Sequence, residues 1–495
     1  MGIVSKSSLN FSIILFIGIG LGYVNTILIF PNILTEEELG LTRILMSASS
    51  VVAQFAQLGT GNILVRFHPH IKNEKKNISL SIGLLISVFG LILATASLFL
   101  FKDYFIATYS EKSKLFTKYF YLVIPFFSSL IFFNLFDAYL RVIFKNEVPA
   151  FLNFILLRIV WLILVLLYYL DFFGLTTFLY LYVGGQTLMS ILALAYIIYL
   201  KELKISFRFG SSNIEMLKKM YGFGAFTIIS GLSVYLINRI DILMVGKYIG
   251  LDQVAIYSIA FYISTVITVP AQSISRTSNV LAAQAAKNDD FKTLSELYKK
   301  TALYQLLLCS LIFCLIIVNY DSIIIFLPEV YHDSFMVFAL LGTSKMVEVS
   351  FGINGAIILN SKYYKIDTLL SIILLIVTFI SNMYFIPKYG IEGAAFATMT
   401  SIVIFHLLRY FFILVKFKMQ PFSRNYFGIL LLVSLSTFIT LQIPNASLFW
   451  VDVIIKSGSF SIICIPLIWW LKLSPSFNQT LVALLNQFRA LLFKK

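Results

Sequence analysis

The sequence predicts an all-α integral membrane protein of about fourteen transmembrane helices, laid out as two parallel six-helix lobes followed by two further helices. Three observations lead there. Of the 495 residues, 59% are hydrophobic and 12% charged, against about 25% charged in an average soluble domain, and the mean hydropathy is +0.91. Apolar runs recur near the ~20 residues that a helix needs to cross a bilayer, without the alternation of barrel strands. A stretch near the start also returns about 215 positions later, as an internal repeat would.

In chain order, the first six spans are expected around 11–33, 42–64, 78–101, 117–137, 148–169 and 177–200. The opening apolar run from Phe11 to Phe30 follows Lys6 as in a signal peptide. It is too long for one, and no small-x-small cleavage site follows, so it is expected to remain as the first helix. MGIVSK lacks the Ser or Thr at its sixth position that myristoylation requires. A polar connector, KELKISFRFGSSNIEMLKK (201–219), leads to six more spans around 221–245, 254–283, 300–318, 333–358, 366–386 and 391–415. Pro270 should kink or break the eighth. The last two spans are 425–443 and 452–471, and the tail 478–493 carries an apolar stripe that reads as an interfacial or a frayed helix. The expected domains are an N-lobe (1–200), a cytoplasmic connector (201–220), a C-lobe (221–418) and a C-terminal pair of helices with a tail (419–495).

The repeat lays ILIFPNILTEEELGL (27–41) on ILMVGKYIGLDQVAI (242–256), with IKN (71–73) falling on AKN (286–288). It recurs where YLDFFGLTTFLYLYVGGQTLMS (169–190) meets IPKYGIEGAAFATMTSIVIF (386–405), with Gly174 on Gly390. Chance similarity between apolar helices is the competing reading, and two agreeing offsets argue against it. An even number of spans per repeat makes the halves parallel, which is a transporter plan.

The net charge of +15 does not point to nucleic acid, because the basic residues recur in short loops at every second helix end. Loops on the side of Lys6 hold roughly 25 of the Lys and Arg, among them Arg66, Lys72, Lys75, Lys76, Arg141 and Lys145. The opposite loops hold about 7, beside Glu36, Glu37, Glu38, Asp171 and Asp321; both termini are therefore expected in the cytoplasm. Cys309, Cys314 and Cys464 lie in apolar segments with no CxxC pair, which suggests neither disulfides nor a metal site. No cofactor is expected, and no GxxxxGK[ST] loop for nucleotide occurs.

NTILIFPNILTEEELGLTRIL in the first two helices, RIDILMVGKYIGLDQVAIYSIA around the seventh and YGIEGAAFATMTS in the twelfth resemble the polysaccharide (lipid-linked oligosaccharide) flippases of the multidrug/oligosaccharidyl-lipid/polysaccharide (MOP) exporter superfamily. The resemblance covers roughly 1–415 and lies in pattern and placement. It implies two six-helix lobes around a cavity, moving a lipid-linked sugar chain to the outer leaflet by alternating access. The substrate would be an undecaprenyl-pyrophosphate-linked oligosaccharide for O-antigen, exopolysaccharide or capsule. The setting would be the bacterial cytoplasmic membrane, beside a polymerase and chain-length machinery. Helices 13 and 14 resemble the lipid II flippase branch and also occur among other polysaccharide exporters.

Such cargo needs cations for pyrophosphate, neutral hydrogen-bonders for sugars and a gap for lipid; Arg suits phosphate through its bidentate fork, Lys as a point charge. Arg158 lies about ten residues, or ~15 Å, into its span and reads as a cavity-facing cation, with a buried structural arginine as the alternative. Lys345 and Glu348, three apart on one helix face, read either as a local ion pair or as substrate contact and partner or proton site. Arg239 and Asp241, two apart, should face differently. Arg239 reads as a substrate contact or an interfacial snorkel. Asp241, one turn from Asn238, is the preferred coupling-ion (Na+ or H+) or switch residue, against a structural bond to a neighbouring helix. Gln54, Gln57, Asn62 and Gln272 are expected at the sugar or between helices. Arg43, Arg276 and Arg409 are read as interfacial anchors, and His406 as a packed histidine.

A multidrug or cation antiporter of the same superfamily is the first rival. It would favour membrane carboxylates, and span 11–33 has none. An enzyme such as a polymerase or ligase is the second. It would need a large outer loop with catalytic groups, whereas the longest outward loop, about 102–116, is short and lacks His.

Overall fold

The computed structural model describes residues 2–64, 78–203, 235–237, 239–475 and 477–479. Asn238, the connector beyond residue 203, the IKN segment of the repeat and nearly all of the C-terminal stripe lie outside them. Among the described residues every regular element is helical. Eleven helices among the described residues are long and apolar enough to cross a membrane. Contacts gather the chain into two compact units, Met1–Ile259 with Asn382–Ile391, and Ala260–Ser381 with Glu392–Lys495.

In the first unit, Gly2–Tyr23 continues through a π-helical turn, Val24–Ile29, into Phe30–Ile33. Leu34 then turns extended, and Thr35 starts the next helix, Glu36–Ala56. Its start is a reciprocal cap: the Glu38 backbone N–H donates to Thr35 Oγ1 at 3.3 Å, and the Thr35 N–H to Glu38 Oε2 at 3.0 Å. Three glutamates in this first turn sit against the positive end of the helix dipole. The other Glu38 oxygen accepts from the Tyr168 hydroxyl at 2.7 Å, tying this corner to the end of the fifth span.

That fifth span is also interrupted: Glu147–Phe151 passes through a π turn, Leu152–Leu156, before Leu157–Tyr169. The two interrupted helices lie in close contact. A Cβ on Gly18 would stand 2.5 Å from Phe154 Cβ, so only glycine admits this approach. Asn25, within the first π turn, donates from Nδ2 to the Arg158 carbonyl at 2.7 Å. Val123–Val142 packs against Leu175–Tyr199, where the Ser129 and Thr187 hydroxyls meet at 2.6 Å.

The eighth span breaks as its proline requires. Leu251–Thr265 ends in a 3₁₀ turn, Val266–Thr268, and Val269–Lys287 restarts with Pro270 in its first turn. Asp290 caps Phe291–Val318, accepting from the Thr293 N–H at 3.0 Å; hydrogen bonding to Thr293 holds its carboxyl below the ordinary aspartate value. Tyr364–Phe417 is 54 residues long but turns back at Gly390 (φ 62°, ψ −141°), so it covers both expected spans 366–386 and 391–415. That conformation is one glycine adopts freely. Phe335–Ser350 with Asn354–Leu359 occupies the tenth expected span, and only the later part of the seventh is described.

The last helix, Phe449–Trp470, is fixed by a buried polar cluster. Asp452 pairs with Lys456 at 3.0 Å and accepts from Ser322 Oγ at 2.6 Å and the Ala446 N–H at 2.9 Å. Lys456 also donates to Asn445 Oδ1 at 2.6 Å.

Two arginines correct the sequence reading. Arg43 is not an interfacial anchor: it is 4% exposed, with its guanidinium 5.6 Å from the Phe30 ring centroid. Arg409 is likewise buried, paired with Asp367 at 2.7 Å and lying 4.0 Å over the Phe405 ring. Both were placed near span ends, and distance along the chain could not reveal a partner forty residues away or a packed aromatic face. His406 packs as expected, its ring stacked on Phe351 at 5.4 Å and its Nδ1 bonded to Asn354 at 3.1 Å. Arg276 is exposed.

Candidate functional site

Three helices of the first unit each turn a polar stripe toward one space. On Glu36–Ala56 and its cap, Ser50, Gln54 and Gln57 recur at i, i+4 and i+7, one face of a helix. On Val123–Val142, Asn134, Asp137 and Arg141 recur at i, i+3 and i+7. The fifth span supplies Asn153, Arg158 and Trp161, the sixth Gln186, and the segment before Ile240 supplies Tyr235 and Arg239. Past Gln57 the chain turns through Leu58 and Gly59, both at positive φ, which carries Asn62 to the same wall.

These residues enclose a cavity of about 500 Å³. Its described lining holds three arginines and one aspartate, and that aspartate, Asp137, is paired with Arg141 one turn away. By count of the described lining the charge is therefore positive, with Arg158 and Arg239 standing beside that pair. The rest of the polar lining is mainly neutral carboxamide.

Arg158 is held on three sides. Its backbone carbonyl accepts from Asn25. Its guanidinium lies against the bare backbone of Gly22, where a Cβ would come within 3.4 Å of Cζ. Cζ stands 5.9 Å from the Trp161 ring centroid, at the outer reach of a cation–π contact. Trp161 is itself locked, stacked on Tyr182 at 4.5 Å with its Nε1–H donating to the Tyr182 carbonyl at 3.0 Å.

The sequence-predicted residues divide into three groups. Arg158, Arg239 and Gln54 meet in this cavity, together with Gln57 and Asn62. Lys345 and Glu348 are in the second unit, paired with each other at 3.1 Å; the Lys345 side chain is 16% exposed and that of Glu348 44%. Asp241 belongs to the first unit, is 3% exposed and is not among the lining residues. It accepts from the Tyr257 hydroxyl at 2.8 Å and from Asn382 Nδ2 at 2.6 Å. Gln272 is exposed and bonded to Thr268.

Asn134, Asp137, Asn153 and Gln186 were not anticipated, and Arg141 was placed in a loop rather than the last turn of a helix. The i, i+3, i+7 stripe in the fourth span was readable; Gln186, alone on an apolar helix, gave no periodic signal.

A family model described as polysaccharide biosynthesis protein matches residues 6–280, and a second, described as MatE, matches residues 227–383. No curated protein matches the sequence. Among solved structures, the fold is similar to the lipid II flippase MurJ in an inward closed conformation, with TM-score 0.73 and 16% identity over 93% of this chain and 99% of that one. It is similar to an inward-facing multidrug resistance MATE family transporter of the MOP superfamily, at TM-score 0.62 and 15% identity over 83% and 98% of the two chains. A mutant of the Vibrio cholerae MATE transporter VcmN aligns at TM-score 0.56 and 12% identity, over 86% of this chain and 100% of that one. With a family model spanning more than half its length and a fold shared with MOP-superfamily transporters, the chain belongs to the polysaccharide biosynthesis protein family.

Proposed function

We propose that this protein is a flippase that moves an undecaprenyl-pyrophosphate-linked oligosaccharide across the bacterial cytoplasmic membrane, toward surface polysaccharide assembly. The reading places both termini in the cytoplasm, has no catalytic step of its own, and supposes alternating access of the lobes 1–200 and 221–418. One observation carries it: a cavity whose described lining holds three arginines to one aspartate and whose remaining polar side chains are mostly carboxamides. Guanidinium suits the pyrophosphate, and amides, each with two donors and an acceptor, suit sugar hydroxyls. Lys345 is assigned as a further anion contact and Glu348 as its partner. Asp241 is assigned as the coupling or switch residue for a Na+ or H+ gradient. Polymerase and chain-length machinery would act on the delivered product.

The antiporter reading of the same superfamily needs a carboxylate exposed to a cationic cargo. Among the described residues lining the cavity the only such group is Asp137, already engaged by Arg141.

The test is binding of undecaprenyl-pyrophosphate oligosaccharide and of a cationic dye to the protein in liposomes, for wild type and Arg158→Ala. A charge-assisted contact contributes ~1.5–3 kcal/mol, so the variant should weaken lipid-linked sugar binding by about ten- to a hundredfold and leave dye binding unchanged. Binding of the dye alone, lost on changing Asp241 or Glu348, would replace the flippase with the antiporter.

A further inference from the structure

The first unit contains a second cavity, of about 480 Å³, that the transport reading does not use. Glu36–Ala56 and Ile78–Leu100 cross tightly at Gly90, where an added Cβ would stand 1.8 Å from the Ala56 carbonyl oxygen. Beyond that crossing the pocket fills the gap between the two helices as far as Phe101. Residues 90–101 rise about 16 Å at helical spacing, half of the ~30 Å hydrocarbon core, the depth of one leaflet. The short helices Lys102–Tyr109 and Lys114–Lys118 close the end through Phe105, Tyr109 and Phe116.

Inside, nothing polar is on offer. Ser97 Oγ donates to the Leu93 carbonyl at 2.8 Å and the Tyr109 hydroxyl to the Leu243 carbonyl at 3.2 Å; the remaining lining is apolar. The pocket opens sideways, since the lining residues Phe55, Leu93 and Phe101 are 48%, 53% and 53% exposed. On helices that cross a bilayer, such faces meet lipid.

Its mouth carries a charge anomaly. Loops on this side are otherwise acidic, yet 101–119 holds Lys102, Lys112, Lys114 and Lys118 against Asp103 and Glu111. This is an excess of cations where the positive-inside rule disfavours them. All four lysines are exposed. Lys102 adjoins the lining residue Phe101 and shares a helix face with the lining residues Phe105 and Tyr109, three and seven positions on; Phe105 stacks on Phe120 at 6.1 Å. Lys118, two positions from both Phe116 and Phe120, turns elsewhere and lies 5.2 Å over the Tyr119 ring.

We infer that this pocket is a binding site for an anionic phospholipid of the leaflet on that side, one acyl chain in the apolar gap and the phosphate at its basic rim beside Lys102. Depth selects the occupant: one leaflet suits an acyl chain and falls short of a long polyprenyl tail. Charge selects the headgroup. The site stands apart from the transport cavity and does not rest on the flippase reading.

The test is native mass spectrometry of the purified full chain incubated with phosphatidylglycerol or phosphatidylcholine. Wild type should retain phosphatidylglycerol in preference, and Ala94→Phe, which fills the gap, should retain one molecule fewer. Lys102→Gln, a surface change that leaves the core untouched, should cut the preference about fivefold without changing phosphatidylcholine retention. Equal retention of both lipids by wild type, a preference that survives the Lys102 change, or unchanged retention by a folded Ala94→Phe protein would overturn the site. One-for-one displacement by undecaprenyl phosphate would overturn the choice of phospholipid.

Discussion

Replacing Asp241 by asparagine separates two roles that the wild-type residue combines. The carboxylate is 3% exposed and receives hydrogen bonds from Tyr257 and Asn382. Asparagine keeps the shape: its Oδ1 can accept from Asn382, and its Nδ2 can donate to Tyr257 once that hydroxyl rotates. What disappears is charge assistance, about 1 kcal/mol for each of two bonds, so the variant should be ~1–2 kcal/mol less stable and still fold. Asp241→Ala instead strands two buried donors at ~1–3 kcal/mol each, a loss of about 2–6 kcal/mol. Thermal unfolding in detergent should therefore rank wild type, asparagine, alanine. The functional assay is uptake of lipid-linked oligosaccharide into proteoliposomes, with and without a Na+ or proton gradient. A coupling carboxylate predicts that the asparagine variant binds substrate normally but no longer responds to the gradient. Full gradient-driven transport by a folded Asp241→Asn protein would refute that role and leave the residue as a helix-to-helix bond.

Two further outcomes follow from packing. Gly90→Ala puts a Cβ against a backbone carbonyl that cannot swing away and should cost ~1–3 kcal/mol, whereas Gly184→Ala, with nothing within 4 Å, should be neutral or stabilising by up to ~1 kcal/mol; unfolding midpoints of the pair measure the difference. Lys456→Met alone leaves the buried Asp452 short of its cation, and Asp452→Leu alone leaves Lys456 with Asn445. Each should lose about 3 kcal/mol, and the double variant should recover most of it; a double variant weaker than both singles would count against this account.

Much of the fold was legible because bilayer physics writes it into composition. Span positions, the break at Pro270 and the separation of spans 366–386 and 391–415 around Gly390 each have a local cause. The site was legible only where a costly group stood out against an apolar background. Arg158, Arg239 and Gln54 were visible that way, and they do line one cavity. The carboxamides were not, since a lone Gln186 or Asn153 costs little more than a packed serine and carries no period. Pairing was the main blind spot. The local Lys345–Glu348 pair could be read from its spacing, but Arg409 with Asp367 and Asp241 with Asn382 depend on how distant helices meet.

The π turns in the first and fifth spans have a consequence for how such sequences are compared. Each is equivalent to one extra residue in a helix, and one residue is about 100° of rotation. A helical wheel drawn through 147–169 as a uniform α-helix therefore misassigns the azimuth of everything on one side of Leu152–Leu156, Arg158 included. Aligning two such chains without a gap at this turn would pair a cavity-lining arginine with a residue on another face of its counterpart. A single-residue insertion or deletion here acts as a rotary adjustment of which side chains face the cavity, and it leaves span length and hydropathy almost unaltered.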